Sequence, residues 1–186
     1  PFINTTGPVM HNHPEYPNRR SIRLPEYDYS SQGAYFVTLV TLQWQNLFGY
    51  IENEEVILSK LGKIVRKEWM RSAQIRKELE IHEDEFVVMP NHIHGIVWIK
   101  SEGFVKPEVE TRPEFKRKPK SLGTFIAGFK SSVSRIARQE LDITNIWQRN
   151  YYEHVVRDEA DWDRIALYIQ DNPRKWEEDR FFNDRA

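Results

Sequence analysis

The sequence contains no cysteine among its 186 residues. This absence excludes disulfide scaffolds, thiolate zinc sites and a cysteine nucleophile. Any metal ion that this protein binds must therefore be held by histidine, carboxylate or amide oxygen ligands.

Long hydrophobic runs are also missing. No stretch approaches the roughly 20 consecutive apolar residues that a membrane-spanning helix needs, and the first residues show no secretory leader. We therefore expect a cytoplasmic protein with no membrane partner. Hydrophobic residues make up 39% of the chain, which is enough to build the core of one ordinary domain.

Charge of either sign is not in excess, since the formal net charge is -1. Taken alone, this value argues weakly against a nucleic-acid partner. The charges are, however, unevenly distributed along the chain, because residues 112–138 contain eight basic residues and one acidic residue, Glu114. A local positive field of this kind is typical of a surface that binds nucleic acid.

The most informative stretch is Phe86–Ile99, where two runs rich in valine and isoleucine flank a Pro-Asn break. This pattern predicts two strands joined by a tight turn, with His92 and His94 at the start of the second strand. Residues two apart in a strand point to the same face, so the two imidazoles are predicted to stand side by side as metal ligands. Two ligands do not complete a site, and further groups must come from elsewhere in the chain.

Hydrophobic periodicity predicts alternating strands and helices in the rest of the chain. The predicted elements are strand 35–42, hairpin 48–58, helix 59–79 capped by Ser59, the two strands within 86–99, loop 101–119, helix 121–141, strand 146–157 and helix 158–172 capped by Asp158. This order indicates an α+β fold, a ferredoxin-like antiparallel sheet with helices on one face. We expect three segments: an N-terminal extended arm (1–33), one domain (34–176) and a C-terminal tail (177–186).

The last predicted helix carries Tyr168 and Asn172 one turn apart, on the side that faces the protein. The helical pattern alone favours an ordinary core aromatic residue at Tyr168 and a cap before Pro173 at Asn172. Together with the histidine pair, however, they supply a nucleophile and a third ligand. A phenol has a reference pKa of about 10, and a divalent cation stabilises the phenolate and polarises a phosphate oxygen. Tyrosine attack on phosphorus suits these groups.

Several motifs resemble a known family. Residues 89–95, Met-Pro-Asn-His-Ile-His-Gly, resemble the His-hydrophobe-His motif of the single-tyrosine HUH transposases. The motifs that resemble the branch of REP-associated tyrosine transposases are Arg20–Tyr29, Gly33–Thr38, Ile146–Gln148, His154, Arg157 and Tyr168-Ile-x-x-Asn172-Pro173. The resemblance extends from about residue 19 to about residue 176.

This resemblance implies the HUH endonuclease fold and recognition of DNA hairpins at repetitive extragenic palindromes. It implies that Tyr168 is the nucleophile, that His92 and His94 bind the metal, and that Asn172 is the third ligand, where the insertion-sequence enzymes typically have glutamine. We accordingly expect a metal-dependent single-strand DNA endonuclease and strand transferase that uses Mg²⁺ or Mn²⁺. It would form a 5′-phosphotyrosine link and act as a monomer or homodimer on single-stranded or hairpin DNA.

DNA contacts are expected from basic and aromatic side chains in three regions. Basic residues fix register on phosphates, and aromatic residues stack on unpaired bases. Each basic residue taken singly is also an ordinary surface charge, and Trp147 an ordinary core residue. The predicted DNA-binding residues are Arg20, Arg23, Lys120, Lys130, Arg135, Trp147, Arg149, Tyr152, His154 and Arg157.

Other functions share part of this pattern. A nucleotide hydrolase of the histidine-triad type would need a third histidine where Ile96 stands. A domesticated protein that binds hairpin DNA without cutting it is the main alternative, and a replication initiator or relaxase with the same chemistry is a third. Cleavage of a hairpin with a single-stranded flank in the presence of Mn²⁺ would distinguish an enzyme from a binding protein.

Overall fold

The computed structural model of the protein describes residues 28–100 and 120–182. The strands are β1 (Gly33–Val40), β2 (Gly49–Glu52), β3 (Glu55–Leu58), β4 (Leu79–Glu80), β5 (Phe86–Val88), β6 (His92–Ile99) and β7 (Tyr152–Val156). The helices are α1 (Lys60–Ile75), α2 (Leu122–Leu141) and α3 (Glu159–Asp171), with short 3₁₀ turns at Leu42–Trp44 and Trp176–Glu178. Five of the strands form one antiparallel sheet in the order β4-β6-β1-β7, and β5 also pairs with β6. β2 and β3 form a separate hairpin.

The two central strands, β1 and β6, pair along their full length, from Gly33 opposite Ile99 to Val40 opposite His92. Both are rich in β-branched and aromatic residues, which favour a buried strand. Because side chains alternate along a strand, each strand presents apolar residues to both faces of the sheet. Both faces therefore need a covering layer.

One face of the sheet is covered by α1 and α2, whose contact is built around Trp69. The Trp69 ring stacks on Phe86 at a centroid distance of 4.7 Å and meets the edges of Phe125 and Phe129, both at 5.2 Å. Gly95 of β6 lies directly beneath this ring, and a Cβ atom there would come within 2.6 Å of Trp69. The glycine thus permits the close approach that holds β6 against the helices.

The opposite face of the sheet is covered by α3, through Ile165 and Ile169 packed on Phe36 and Ile96. The predicted fold class, an antiparallel α+β sheet, is confirmed. The prediction that all helices lie on one face holds for α1 and α2 and is wrong for α3. The physical reason is the apolar second face of β1 and β6, which an amphipathic helix must cover.

The predicted helix caps are confirmed. The side chain of Ser59 accepts a hydrogen bond from the Gly62 amide at 3.0 Å, and that of Asp158 accepts one from the Asp161 amide at 2.8 Å. These bonds satisfy amide groups that the first turn of a helix leaves without partners. The beginnings of α1 and α3 are therefore set by local sequence.

Two predicted boundaries differ from the structure by more than two residues. The helix predicted for residues 59–79 ends at Ile75, because Leu79 pairs with β6 as part of the short strand β4 and buries its side chain. The strand predicted for residues 146–157 begins at Tyr152, preceded by a single bridge between Thr41 and Trp147. The predicted loop 101–119 and residues 1–27 of the predicted arm lie outside the described residues. In the described ranges, no helix combines the length and apolar character of a membrane span.

Candidate metal and nucleophile site

The site is built on the face of the sheet that α3 covers. β6 presents His92 and His94 there, both fully buried. Their Nε2 atoms face each other at 2.9 Å, so the imidazoles stand side by side as the two-residue spacing predicts. α3 brings Tyr168 and the residue that follows its last turn, Asn172, to the same place.

Two polar side chains orient the imidazoles from behind. Asn91 donates its amide protons to the carbonyl oxygens of Trp44 and Phe181, at 3.2 and 2.7 Å. Its Oδ1 is thereby left to accept the Nδ1 proton of His92, at 2.9 Å. His92 therefore turns the lone pair of Nε2 toward its neighbour.

The second imidazole has a partner of a different kind. The Thr38 hydroxyl lies 2.9 Å from Nδ1 of His94, and a hydroxyl can either donate or accept a proton. Without a cation, the hydroxyl donates to Nδ1 and His94 donates its Nε2 proton to His92. When the hydroxyl instead accepts the Nδ1 proton of His94, Nε2 of His94 carries no proton. Both histidines then have an Nε2 lone pair available for a metal ion.

Burial keeps both imidazoles neutral. Loss of hydration lowers the pKa of His92 well below its usual value, and its proximity to His94 and to the positive charge of Arg180 lowers it further. Burial, followed by the charge of Arg180, lowers the pKa of His94 to about 3. Neutral imidazole is the form of histidine that coordinates a metal ion.

The donor set fits a divalent cation. The coordinating atoms of His92, His94 and Asp179 lie within 4.8 Å of one another. Within the described ranges, Oδ1 of Asn172 is buried with no hydrogen-bond partner, which is an unfavourable state that a metal ion would relieve. Nitrogen ligands lie about 2.0–2.1 Å from a metal, so two neighbouring ligands of one ion are about 3 Å apart in octahedral geometry. The observed separation of the two Nε2 atoms agrees with that distance.

Tyr168 lies at the edge of this cluster. Its hydroxyl is 3.2 Å from Nε2 of His94 and 3.4 Å from Oδ2 of Asp179. Burial, followed by the negative charge of Asp179, raises the pKa of the Tyr168 phenol, so the hydroxyl carries its proton in the resting protein. The residue is nevertheless 41% exposed, so it lies at the surface and not in the core.

The orientation of α3 depends on a buried carboxylate, Glu85. Its two oxygens accept hydrogen bonds from the indole nitrogens of Trp98 on β6 and Trp162 on α3, at 2.7 and 2.5 Å. A second link joins His154 of β7 to Asp161 of α3, at 2.7 Å. These contacts attach the N-terminal half of α3 to the sheet, and the rigid helix then determines where Tyr168 lies.

Residues 179–182 complete the site, although sequence reasoning assigned them to a C-terminal tail without a role. The Phe181 ring lies 4.8 Å from the ring of His92. The Arg180 guanidinium lies over the rings of Phe181 and Tyr152, at 4.5 and 5.6 Å. Asp179 and Arg180 follow the turn after Pro173, so no spacing within a helix or strand marks them. The only sequence signal was the type of the Asp179 side chain.

Part of the predicted DNA-binding set lies on the same face as Tyr168. Tyr152 and His154 are half-buried on β7, and Phe36 meets the edge of the Tyr152 ring at 6.2 Å. Arg157 and Arg149 are exposed at the two ends of the segment that contains β7. The structure therefore places Tyr152 and His154 on the face that carries the site, and contact of all four residues with DNA stays a prediction.

The other predicted DNA-binding residues lie elsewhere. The Trp147 ring packs on Phe48 and Phe129, at 5.2 and 5.8 Å, on the face covered by α1 and α2. The Lys130 ammonium donates to the carbonyls of Gln148 and Asn150, and burial lowers its pKa to about 8. The remaining predicted residues are Lys120 and Arg135, which are exposed at the start and on the surface of α2, and Arg20 and Arg23, which lie outside the described residues.

Comparisons with known proteins place the chain among relatives. No family model matches it. A protein of Haemophilus influenzae described as uncharacterized is 38% identical over 172 residues, which span 90% of this chain and 94% of that protein. The structure of a REP-associated tyrosine transposase bound to a REP hairpin superposes with a TM-score of 0.56 at 20% identity, over 83% of this chain and 74% of that one. The predicted resemblance is thus confirmed for the fold. This chain therefore belongs to the same family as the Haemophilus influenzae protein and shares the fold of the REP-associated tyrosine transposase.

Proposed function

We propose that this protein is a metal-dependent single-strand DNA endonuclease and strand transferase, and that it acts on DNA in which a single-stranded flank adjoins a hairpin. The observation that carries the proposal is the position of the Tyr168 hydroxyl, which lies 3.2 Å from Nε2 of His94 in a buried, neutral histidine pair. A phenol beside a metal-binding pair is suited to attack a phosphodiester. The fold shared with a transposase that was solved with a REP hairpin supports the same substrate class.

His92, His94 and Asn172 are the proposed metal ligands. The two Nε2 atoms lie 2.9 Å apart, and Oδ1 of Asn172 is a buried oxygen that has no partner among the described residues. The Asp179 oxygens, by contrast, already accept protons from Tyr168, Asn172 and the Phe181 amide. Imidazole ligands suit Mn²⁺ and a phosphate substrate suits Mg²⁺. When bound, such an ion neutralises charge that develops on the phosphate.

Tyr168 forms the covalent bond. Its oxygen attacks the phosphorus atom while its proton passes to Oδ2 of Asp179, 3.4 Å away. The bond between phosphorus and the 3′ oxygen breaks, and that oxygen takes a proton from solvent to become a free 3′-OH. The product is a 5′-phosphotyrosine link, which retains the phosphodiester energy. A second 3′-OH can therefore reverse the step and join strands without ATP.

Arg180 is the proposed phosphate-binding side chain. Its guanidinium lies over Tyr152 and Phe181, and its positive charge contributes to the low pKa of both histidines after burial. A guanidinium matches two phosphate oxygens at once. We assign the neighbouring Tyr152 ring to stacking on an unpaired base.

The proposal is tested by incubating the protein with a labelled hairpin oligonucleotide that carries single-stranded flanks, in Mn²⁺, and separating the products on a denaturing gel. We expect a covalent protein–DNA band with the native chain and none with Tyr168→Phe. Tyr151→Phe is the matched control, because the Tyr151 ring lies beside Lys130 on the other side of the sheet. A band that persists in Tyr168→Phe would refute the assignment of the nucleophile.

A non-cleaving hairpin-binding protein is the second candidate. One observation favours it: the Phe181 ring packs against His92 and covers the pair from one side. The same assay separates the two functions. Hairpin binding without any covalent band, at every concentration of Mn²⁺ and Mg²⁺, would identify a binding protein.

A further inference from the structure

A cleft of about 610 Å³ opens beside the metal and nucleophile site, between the β2–β3 hairpin and the turn after α3. Trp176 lines this cleft and also lies against the histidine pair, with the centroid of its ring 5.9 Å from that of His92. Pro90, two residues before His92, also lines the cleft. A DNA strand with a phosphate at His92 therefore has its neighbouring nucleotide within reach of this cleft.

The walls of the cleft carry aromatic side chains that face solvent. Tyr50 on β2 is 56% exposed and Phe182 is 41% exposed. Phe182 is held in place by the edge of Trp176, at a centroid distance of 5.4 Å. Aromatic rings exposed in a concave site offer stacking surfaces for bases, which is how single-stranded nucleic acid is bound without pairing.

The rim of the cleft carries groups that can recognise the edge of a base. Asn53 and Glu54 line it from the tip of the β2–β3 hairpin. Both have positive φ values, 51° and 65°, as a tight two-residue hairpin turn requires. The turn thereby brings an amide and a carboxylate to the rim, and such groups donate to or accept from base edges.

The charge of the cleft indicates a base rather than a free polyphosphate. Its basic residues, Arg174 and Lys175, are outnumbered by the acids Glu54, Glu177 and Glu178. Arg174 pairs with Glu54 across the opening at 3.7 Å, and both side chains are largely exposed. An exposed pair of this kind contributes little to stability, so it presents a small barrier to an entering ligand. A cleft with this charge suits a neutral base whose phosphate is held elsewhere.

We propose that this cleft binds one unpaired nucleobase of the DNA strand, the base next to the phosphate at the metal site. The base stacks on Tyr50 and Phe182, and Asn53 and Glu54 read its edge. The cleft thereby helps to select which sequence is cut. This inference rests on the proposed function. It assigns the cleft as a place where the protein recognises the sequence of the DNA that it cuts.

The test uses Tyr168→Phe protein with Mn²⁺ and the hairpin oligonucleotide, in which 2-aminopurine replaces each base of the single-stranded flank in turn. Stacking quenches 2-aminopurine fluorescence, so we expect strong quenching at one position next to the cleavage site. Adding Tyr50→Ala or Phe182→Ala should remove that quenching, whereas Tyr50→Phe should keep it. Ile75→Ala is the matched control, because Ile75 is an exposed apolar residue at the end of α1, away from the cleft.

A second measurement follows cleavage in the chain that retains Tyr168. Tyr50→Ala and Phe182→Ala should lower the cleavage rate at least tenfold and leave the affinity for the hairpin stem unchanged. Glu54→Gln should change which base is preferred at the quenched position. Because Tyr50 and Phe182 are exposed, thermal unfolding should show all variants folded.

The two proposals fail differently. If Tyr50→Ala and Phe182→Ala change neither the quenching nor the cleavage rate, the cleft is not a base-binding site. A covalent adduct in the same experiment would still support the proposed endonuclease activity. Absence of any adduct would overturn the endonuclease. Quenching at one position that Tyr50→Ala removes would still establish the cleft as a base-binding site of a protein that binds DNA without cutting it.

Discussion

The hydroxyl of Tyr168 lies 3.2 Å from Nε2 of His94, although the two residues are 74 positions apart in the chain. The contact joins α3 to β6 on the face of the sheet away from α1 and α2. It brings an exposed phenol, which can act as a nucleophile, against a buried, neutral imidazole.

The hydroxyl of Thr38 is expected to support metal binding, because it can accept the Nδ1 proton of His94 and so leave Nε2 free. Thr38→Val removes this hydrogen bond with little change of shape, and we expect the affinity for Mn²⁺ to fall about 10–100-fold, the usual cost of losing such a partner. Thr38→Ser should bind nearly as tightly as the native chain. Titration calorimetry measures both, and equal affinity of Thr38→Val and native protein would contradict the assigned orientation of His94.

Asn172 and Asp179 are expected to have separable roles. Asn172→Ala should weaken Mn²⁺ binding, because it removes the buried Oδ1 that lacks a partner in the described part of the chain. Asp179→Asn should lower the cleavage rate about 10²–10⁴-fold through loss of a proton acceptor, with a smaller effect on Mn²⁺ affinity. If Asp179→Asn weakens Mn²⁺ binding more than Asn172→Ala does, then Asp179 is the ligand and another group accepts the proton.

Glu85 is expected to position α3. The amide of Glu85→Gln has one accepting oxygen, so it leaves one of the indole N–H groups of the half-buried Trp98 and Trp162 unpaired. We expect a loss of about 1–3 kcal/mol in the free energy of unfolding, measured by urea denaturation, together with slower cleavage. Adding Trp162→Phe removes the unpaired donor and should recover part of the loss.

The matched control for Glu85 is Glu83→Gln, since Glu83 is largely exposed and pairs with Arg66 on the surface. This variant should change the free energy of unfolding by no more than about 0.5 kcal/mol. Equal effects at positions 83 and 85 would show that the carboxylate shared by the two indoles does not hold α3.

Arg180 is expected to bind the phosphate that Tyr168 attacks. Arg180→Gln should lower the cleavage rate about 100-fold, as removal of a donor to a developing oxyanion does, and Arg180→Lys should be intermediate because a point charge replaces a two-pronged donor. Arg66→Gln, on α1 behind the sheet, should cleave at the native rate. An Arg180→Gln rate equal to that of Arg66→Gln would place the phosphate elsewhere.

Much of the site was predictable because it depends on short-range geometry. The alternation of side chains in a strand puts His92 and His94 on one face, and the helical repeat puts Tyr168 one turn from Asn172. The caps at Ser59 and Asp158 follow equally from local hydrogen bonding. The motifs around these residues also indicated the fold, which the comparison with the REP-associated tyrosine transposase confirms.

Within one helix or strand, the spacing of residues along the chain determines which side chains point the same way. The histidine pair and the tyrosine helix could therefore be predicted from the sequence alone. Which elements meet depends on contacts between residues far apart in the chain, and no local period encodes them. Packing therefore placed α3 on the second face of the sheet, joined Trp98 and Trp162 to one carboxylate, and returned residues 179–182 to the histidines.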